Sequence, residues 1–283
     1  MKVVVTRRLP DSVEAKLAAR FDVELNPPDR TFDRAGLREA MGRCDVLAPN
    51  VRDRIDSDLI AGAGERLRLI ANFGAGTDNI DLEAAQARGI AVTNTPDVLT
   101  EDTADLAMAL ILIGARRLGE GERNLRAGRW RGWSPTDQLG RSLTGKALGI
   151  VGMGRIGSAL ARRARAFGME VHYHNRRAVP GAEFRYWSDL DAMLPEMDVV
   201  SLNAPYGPQT RHLIDRRRLG LMRRDSWLIN AARGGLVDED ALIEALAAGR
   251  IAGAGLDVYP NEPEVDPRLL GLPNVVQIGR AHV

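Results

Sequence analysis

The chain has 283 residues, 45% apolar and 27% charged, with 39 Lys+Arg against 38 Asp+Glu. This ordinary globular composition excludes a disordered tail and a collagen-like repeat, and the single cysteine, Cys44, excludes a disulfide scaffold. A net charge of +1 gives no bias toward nucleic acid or membrane. The longest apolar run, Leu106 to Ile113, is far short of the ~20 residues that span a bilayer, and the N-terminus shows no secretory pattern. A cytoplasmic protein of two domains is expected. Only Lys2, Lys16 and Lys146 among the basic residues are lysine. The arginine excess reads as anion binding or as GC-rich codon usage; scatter along the chain and balance by acids favour the second.

Short apolar runs alternate with helical patterns. Val3–Val5, Val46–Ala48, residues 67–72 and Ala91–Thr93 read as buried strands, with Ser12–Arg20 and Leu82–Arg88 as amphipathic helices between them. A boundary is expected near Pro96. The longest helical pattern, Thr100–Leu118, follows, with Thr100 as its cap; it could link domains or pack on a second subunit. Residues 119–145, with Trp130, Trp133 and Pro135, read as a loop or arm. Strands resume at Ala147–Val151, Val171–His174, Val199–Leu202, Trp227–Asn230 and Ile251–Leu256. Continuous apolar strands separated by helices predict α/β architecture with parallel sheets covered on both faces.

The strongest motif is Gly152-x-Gly154-x-x-Gly157, which follows an apolar strand and opens an amphipathic helix. A dinucleotide fold needs this context. Gly152 permits the tight turn, Gly154 lets backbone approach a pyrophosphate, and Gly157 lets helix pack on strand. The next strand ends in Asn175-Arg176-Arg177, where an NAD site usually has an acid for the ribose 2′-OH. Two guanidiniums without a carboxylate suit a 2′-phosphate, so NADP(H) is favoured and NAD(H) remains possible. A near match to a Walker A loop, Gly140 to Lys146, has Ala147 where Ser or Thr belongs and precedes its strand, so nucleotide hydrolysis is not read from it.

At this point the sequence resembles the D-isomer-specific 2-hydroxyacid dehydrogenase family. The resemblance rests on NFGAGTDNID (72–81), TADLAMALIL, TGKALGIVGMGRIG (144–157), SLNAPYGPQTRHLI (201–214), LINAARGGLVDEDALIEAL (228–246) and AGAGLDVYPNEP (252–263). WRGWSPTDQLG and YHNRR bring it nearest the glyoxylate/hydroxypyruvate reductases. It implies two doubly wound parallel-sheet domains, a flavodoxin-like substrate domain over 1–98 and a Rossmann cofactor domain over 99–276. It also implies hydride transfer between NAD(P)H and the C2 carbonyl of a small 2-oxo acid, with no metal, and a homodimer. Phosphoglycerate- or formate-type dehydrogenases, or a non-catalytic nicotinamide-dinucleotide-binding protein, are the rival readings.

By this resemblance Arg233 holds the substrate carboxylate and polarises its carbonyl, a task suited to a planar two-point donor. Glu262 keeps a catalytic histidine protonated, since a neighbouring anion raises a histidine pKa. The backbone of Gly74, Ala75 and Gly76 binds the carboxylate, and Val51 lines the same pocket. Cofactor contacts fall to Thr103, Gly152, Gly154, Arg155, Ile156, Gly157, Asn175, Arg176, Arg177, Ala204, Pro205, Thr210, Ala231 and Asp257, the last orienting the nicotinamide carboxamide. Trp130 and Trp133 read as packing residues, or else as closing a partner's site. Cys44 reads as buried and inert. His172 and His174 alternate on one strand, which suits a strand-end role beside the cofactor better than a metal pair.

The family's general acid is a histidine in a Leu-Pro-His-x-Gly-Ser segment after the NVV strand. This sequence reads LPNVVQIGRAHV; Arg280 falls about where the histidine belongs, and His282 is two places late and lacks the motif. Residues 278–283 are what a common sequencing adapter encodes when read from ATC, with a stop codon next, and its preceding bases would complete a codon for Gln277. Residues 277–283 are therefore expected to be a read-through artefact, which the nucleotide record decides. The chain as written is expected to turn over negligibly.

Overall fold

The computed structural model describes residues 1–279, which divide into two compact units, 1–98 and from 99 onward. The first holds five parallel strands, β1 (Lys2–Val5), β2 (Asp22–Glu24), β3 (Val46–Ala48), β4 (Leu69–Ala71) and β5 (Ala91–Thr93), in the order β2-β1-β3-β4-β5. This is the flavodoxin-like order, with its switch point between β1 and β3. Strand alternation sends Val4, Leu47 and Ile70 to one face, where Leu37, Met41, Leu59 and Ile60 cover them. Val3, Val5 and Val46 face the other side, under Leu17 and Phe21.

The second unit holds seven parallel strands: β6 (Ala147–Val151), β7 (Glu170–His174), β8 (Arg185–Trp187), β9 (Val199–Leu202), β10 (Trp227–Asn230), β11 (Gly253–Leu256) and β12 (Val275–Gln277). Their order is β12-β11-β10-β9-β6-β7-β8, the doubly wound dinucleotide-binding order with one strand added, and it reverses at β6. Helix Thr100–Ala115 packs on β10 and β11 through glycine contacts. A Cβ on Gly114 would sit 2.5 Å from the Trp227 ring, and one on Gly255 would meet Leu110 at 3.1 Å. No described helix is long and apolar enough to cross a membrane.

The structure corrects four expectations. Strand β5 is not buried: it is a sheet edge, with Ala91 and Thr93 exposed. Thr100 does not cap its helix; Leu99 holds that position without a side-chain bond, and the helix ends at Ala115. The arm is not all loop, because Leu118–Arg126 forms a helix entered through a left-handed Arg117 (φ 54°). Trp130 and Trp133 do not pack within the described fold, being 61% and 86% exposed. Strands β2 and β8 were not anticipated; both are three-residue edges too short and too polar to show a period.

Most helices start on an aspartate. Asp33, Asp56, Asp81, Asp215 and Asp238 each accept a backbone N–H from the first turn. This side-chain oxygen satisfies one of the orphan donors of a helix start. Many arginines sit in surface ion pairs, as where Arg162 and Arg163 meet Glu101 at 3.0 and 2.8 Å.

Candidate active site

In the second unit, loops at the carboxyl ends of β6, β9, β10 and β11 crowd together. Gly152, at φ +103°, takes a conformation that costs side-chain-bearing residues energy. A Cβ there would also lie 2.6 Å from the Ala204 nitrogen, so the β6 turn rests directly on the β9 turn of Ala204 and Pro205. A Cβ on Gly157 would lie 2.3 Å from the Gly152 carbonyl oxygen, which is the close helix–strand approach expected of that glycine. A Cβ on Gly154 would meet nothing within 4 Å. Gly154 begins helix Arg155–Ala166, whose N-terminal amides and dipole favour an anion. Backbone open to close approach at a helix start fits a dinucleotide pyrophosphate. Thr103 stands in the first turn of helix Thr100–Ala115, and Ile156 is half-buried behind the glycine turn.

The β7 end is tied to this turn. Asn175 Oδ1 accepts the Met153 amide at 2.7 Å, and the Asn175 carbonyl accepts the Tyr186 hydroxyl at 3.2 Å. Tyr173 Oη accepts the Val179 amide at 3.0 Å. These bonds brace the loop carrying Arg176 and Arg177, both exposed and with no ion pair among the described residues. Thr210 does not offer a free hydroxyl: its Oγ1 donates to the Pro205 carbonyl at 2.8 Å and accepts the Gly207 amide at 2.9 Å, closing the β9 loop.

Arg233 follows β10 on a turn fixed by Asn230, which is 2% exposed. Asn230 Oδ1 accepts the Ala232 amide at 3.1 Å and its Nδ2 donates to the Arg233 carbonyl at 2.9 Å. Ala231 lies between them, half-buried. A Cβ on Gly234 would fall 2.1 Å from the Tyr259 carbonyl carbon. The Arg233 turn therefore lies against the loop that carries Glu262. Glu262 Oε1 accepts the Tyr259 amide at 3.1 Å. Asp257 is buried, and its amide donates to the Asn230 carbonyl at 3.0 Å. Burial beside Asp257 and Glu262 pushes the Tyr259 hydroxyl up to about 12.

The first unit carries the other predicted group. Loop Gly74–Gly76 follows β4, and a Cβ on Gly74 would lie 2.2 Å from Val51 Cγ1, so Val51 and the loop are in contact. Asn72 Nδ2 donates to the Gly76 carbonyl at 2.8 Å and Asn94 Nδ2 to the Ala75 carbonyl at 2.7 Å. The amides of Ala75 and Gly76 donate to no other group among the described residues. Two adjacent N–H groups left available in a fixed loop suit a carboxylate.

Other expectations resolve elsewhere. Cys44 is buried, and desolvation pushes its thiol up to about 11, so little thiolate exists near neutrality. His172 Nδ1 accepts the Trp187 indole at 3.1 Å, and His174 Nδ1 donates to the Trp187 carbonyl at 2.9 Å, so both rings serve the β7–β8 edge. Gln277 lies in β12 opposite Leu256, and its Nε2 donates to the Leu269 carbonyl at 2.7 Å. Arg280 and His282 lie outside the described residues. Asn230 and the buried Asp53 had no assigned role in the sequence; a polar residue just past an apolar strand was the available signal.

Fold and glycine turn together define an α/β protein of the dinucleotide-binding kind, with Arg233 on a turn at the carboxyl edge of the sheet. The pattern of the D-isomer specific 2-hydroxyacid dehydrogenase NAD binding domain matches residues 108–279. A glyoxylate reductase of Thermococcus kodakarensis is 46% identical over 97% of this chain and 84% of its own length. One from Pyrococcus furiosus is 44% identical over the same shares. Among solved structures, an NADPH-dependent glyoxylate/hydroxypyruvate reductase of Sinorhizobium meliloti, in complex with NADP and malonate, superposes with TM-score 0.88. It is 38% identical, with 98% of this chain and 85% of that one covered. A glyoxylate reductase from Paecilomyes thermophila gives TM-score 0.89 at 34% identity, covering 99% and 88%. The chain belongs to the D-isomer specific 2-hydroxyacid dehydrogenase family, and its second unit carries that family's nicotinamide-dinucleotide-binding domain.

Proposed function

We propose that the protein reduces a small 2-oxo acid, glyoxylate or hydroxypyruvate, to the D-2-hydroxy acid with NADPH as the preferred reductant. The observation that carries this reading is the Arg233 turn lying against the Glu262 loop, at the strand edge that also holds the glycine cradle. The names of the relatives, and the NADP complex of one structural neighbour, support it.

The cradle of Gly152, Gly154, Arg155, Ile156 and Gly157, with Ala204, Pro205, Ala231 and Thr103, would hold the dinucleotide. When bound, that group supplies the hydride delivered to the carbonyl carbon. Arg176 and Arg177 would pair with the 2′-phosphate, which suits two exposed guanidiniums on a braced loop. Asp257 would accept from the carboxamide. By the family resemblance Arg233 would hold a substrate carboxylate and polarise its carbonyl; the same resemblance assigns carboxylate binding to the Ala75 and Gly76 amides of the first unit. Glu262 sustains the charge of a histidine general acid, which the resemblance places after β12. The described histidines are His172, His174 and His212, none of them after β12. The protein is further proposed to act as a homodimer in the cytoplasm.

The test is an NADPH-oxidation assay over a panel of 2-oxo acids, on the 283-residue chain and on a variant in which a Leu-Pro-His-x-Gly-Ser segment follows Val276. The variant is expected to reduce glyoxylate or hydroxypyruvate, and the 283-residue chain to be ~10²–10⁴-fold slower, the usual contribution of a positioned general acid. Replacing Arg176 and Arg177 by alanine should weaken NADPH far more than NADH. Binding of NADPH without turnover of any acid by the histidine-bearing variant would point to the non-catalytic rival. Equal loss of both cofactors would remove the 2′-phosphate assignment.

A further inference from the structure

We propose that Asp53 is a positioning residue that sets the carboxylate-binding loop Gly74–Gly76. The inference rests on the reading of that loop as a substrate site. Asp53 is 2% exposed and sits in the turn after β3, beside the switch point of the first sheet. One of its oxygens, Oδ2, accepts three bonds. They come from the Thr6 hydroxyl at the end of β1, from the Asn50 amide at 2.9 Å and from Asn50 Nδ2 at 2.7 Å. Its other oxygen is buried and has no partner among the described residues. Burying a carboxylate costs several kcal/mol unless hydrogen bonds replace its lost hydration, as these three do at Oδ2.

The bonds run on from Asp53 into the loop. The carbonyls of Asn50 and Asp53 both accept Asn79 Nδ2 at 3.1 Å. Asn79 Nδ2 also reaches Asn72 Oδ1 at 3.3 Å, and Asn72 in turn holds the Gly76 carbonyl. The Asn50–Asp53 turn bridges to Phe73 and presents Val51 against Gly74. The loop is therefore held at both ends by one polar cluster built around the buried Thr6, Asp53 and Asn72, in which Asp53 is the anion. An acceptor of three donors fixes where Asn50 and Val51 lie, and through Asn79 and Asn72 where the Ala75 and Gly76 amides lie. A binding group displaced by about 1 Å can lose roughly a hundredfold in effectiveness.

The experiment is an NMR titration of the NADPH-loaded chain with oxamate, a carboxylate analogue of the proposed substrates, with NADPH affinity and melting temperature measured in parallel. In the unsubstituted chain the Ala75 and Gly76 amide resonances are expected to shift. Asp53→Ala should raise the oxamate Kd about tenfold or more with NADPH affinity unchanged. Asp53→Asn, whose amide oxygen can take the same three donors, should stay near the starting affinity. Thr6→Val removes one donor in a shape the site already accommodates, and should weaken oxamate by a smaller factor even if Asp53→Ala does not fold. Silent Ala75 and Gly76 amides in the unsubstituted chain would overturn the loop as a substrate site, and this inference with it. Responsive amides together with unchanged oxamate affinity in Asp53→Ala and Thr6→Val would overturn the role of Asp53 alone. A parallel fall in oxamate and NADPH affinity would also overturn it, as general damage to the fold.

Discussion

At the scale of single residues, the three glycines of the β6 turn do different work, and the structure separates them. Gly157 is held by space: its Cβ would overlap the Gly152 carbonyl. Gly157→Ala is expected to cost about 1–3 kcal/mol by overpacking and to weaken the cofactor by distorting the turn. Gly154 has ordinary backbone angles and open space around its Cβ. Gly154→Ala should leave thermal stability within about 0.5 kcal/mol of the starting chain, while NADPH affinity falls because the new methyl group stands where the pyrophosphate would lie. Melting curves and cofactor titrations of the two variants check this contrast; equal destabilisation by both would refute it. The glycine spacing was legible in the sequence. The division between packing and ligand approach was not, because it depends on which backbone lies opposite each Cα.

At the scale of elements, local chemistry explains much of what the sequence showed. Aspartate caps, apolar strands and amphipathic helices all obey short-range rules, so β6, β7, β9 and β10 could be read directly. The margins were harder. β2 and β8 are three-residue edges that bury little, and pairing with a distant neighbour makes them strands; β5 was legible as a strand, but not as an exposed edge. Ion pairs between elements belong to this scale too. Asp191, at the first helical turn after β8, meets Arg217 at 2.7 Å and Arg218 at 2.8 Å, and these guanidiniums lower its carboxyl to about 2. A carboxylate with a depressed folded-state pKa stabilises above its ordinary value near 3.8 and loses that contribution as pH falls toward 2. Asp191→Asn should therefore melt lower than the starting chain at pH 6, and the gap should close between about pH 4 and pH 2. A gap that stays constant across that range would show that Asp191 acts through shape and not charge. These contacts join a helix start to residues 26 and 27 positions away, and no sequence period points to them.

At the scale of the whole molecule, the arm after helix Thr100–Ala115 leaves large apolar side chains uncovered. Leu125, Trp130, Trp133 and Leu139 are each more than 60% exposed. Where exposed apolar side chains lie together they mark interaction surfaces in soluble proteins. With the homodimer proposed above, the Trp130→Ser, Trp133→Ser double variant should shift the protein from dimer to monomer in size-exclusion chromatography with light scattering, with secondary structure unchanged. An unaltered mass would remove the arm from the interface.

The sequence by itself determined the class of fold, the dinucleotide turn, the Arg233 and Glu262 motifs and the family. Each is written in residues close along the chain: a strand's apolar run, a glycine spacing, a short segment at a strand end. Tertiary structure alone decided what those segments touch. It laid the β6 turn on Ala204, pressed Gly234 onto Tyr259 and set Val51 against Gly74. It also gathered Thr6, Asn50 and Asn72 from the ends of β1, β3 and β4, with Asn79, around the buried Asp53. Parallel sheets bring distant strand ends together at one edge, so the residues of such a site are neighbours in space through a register that no local pattern encodes.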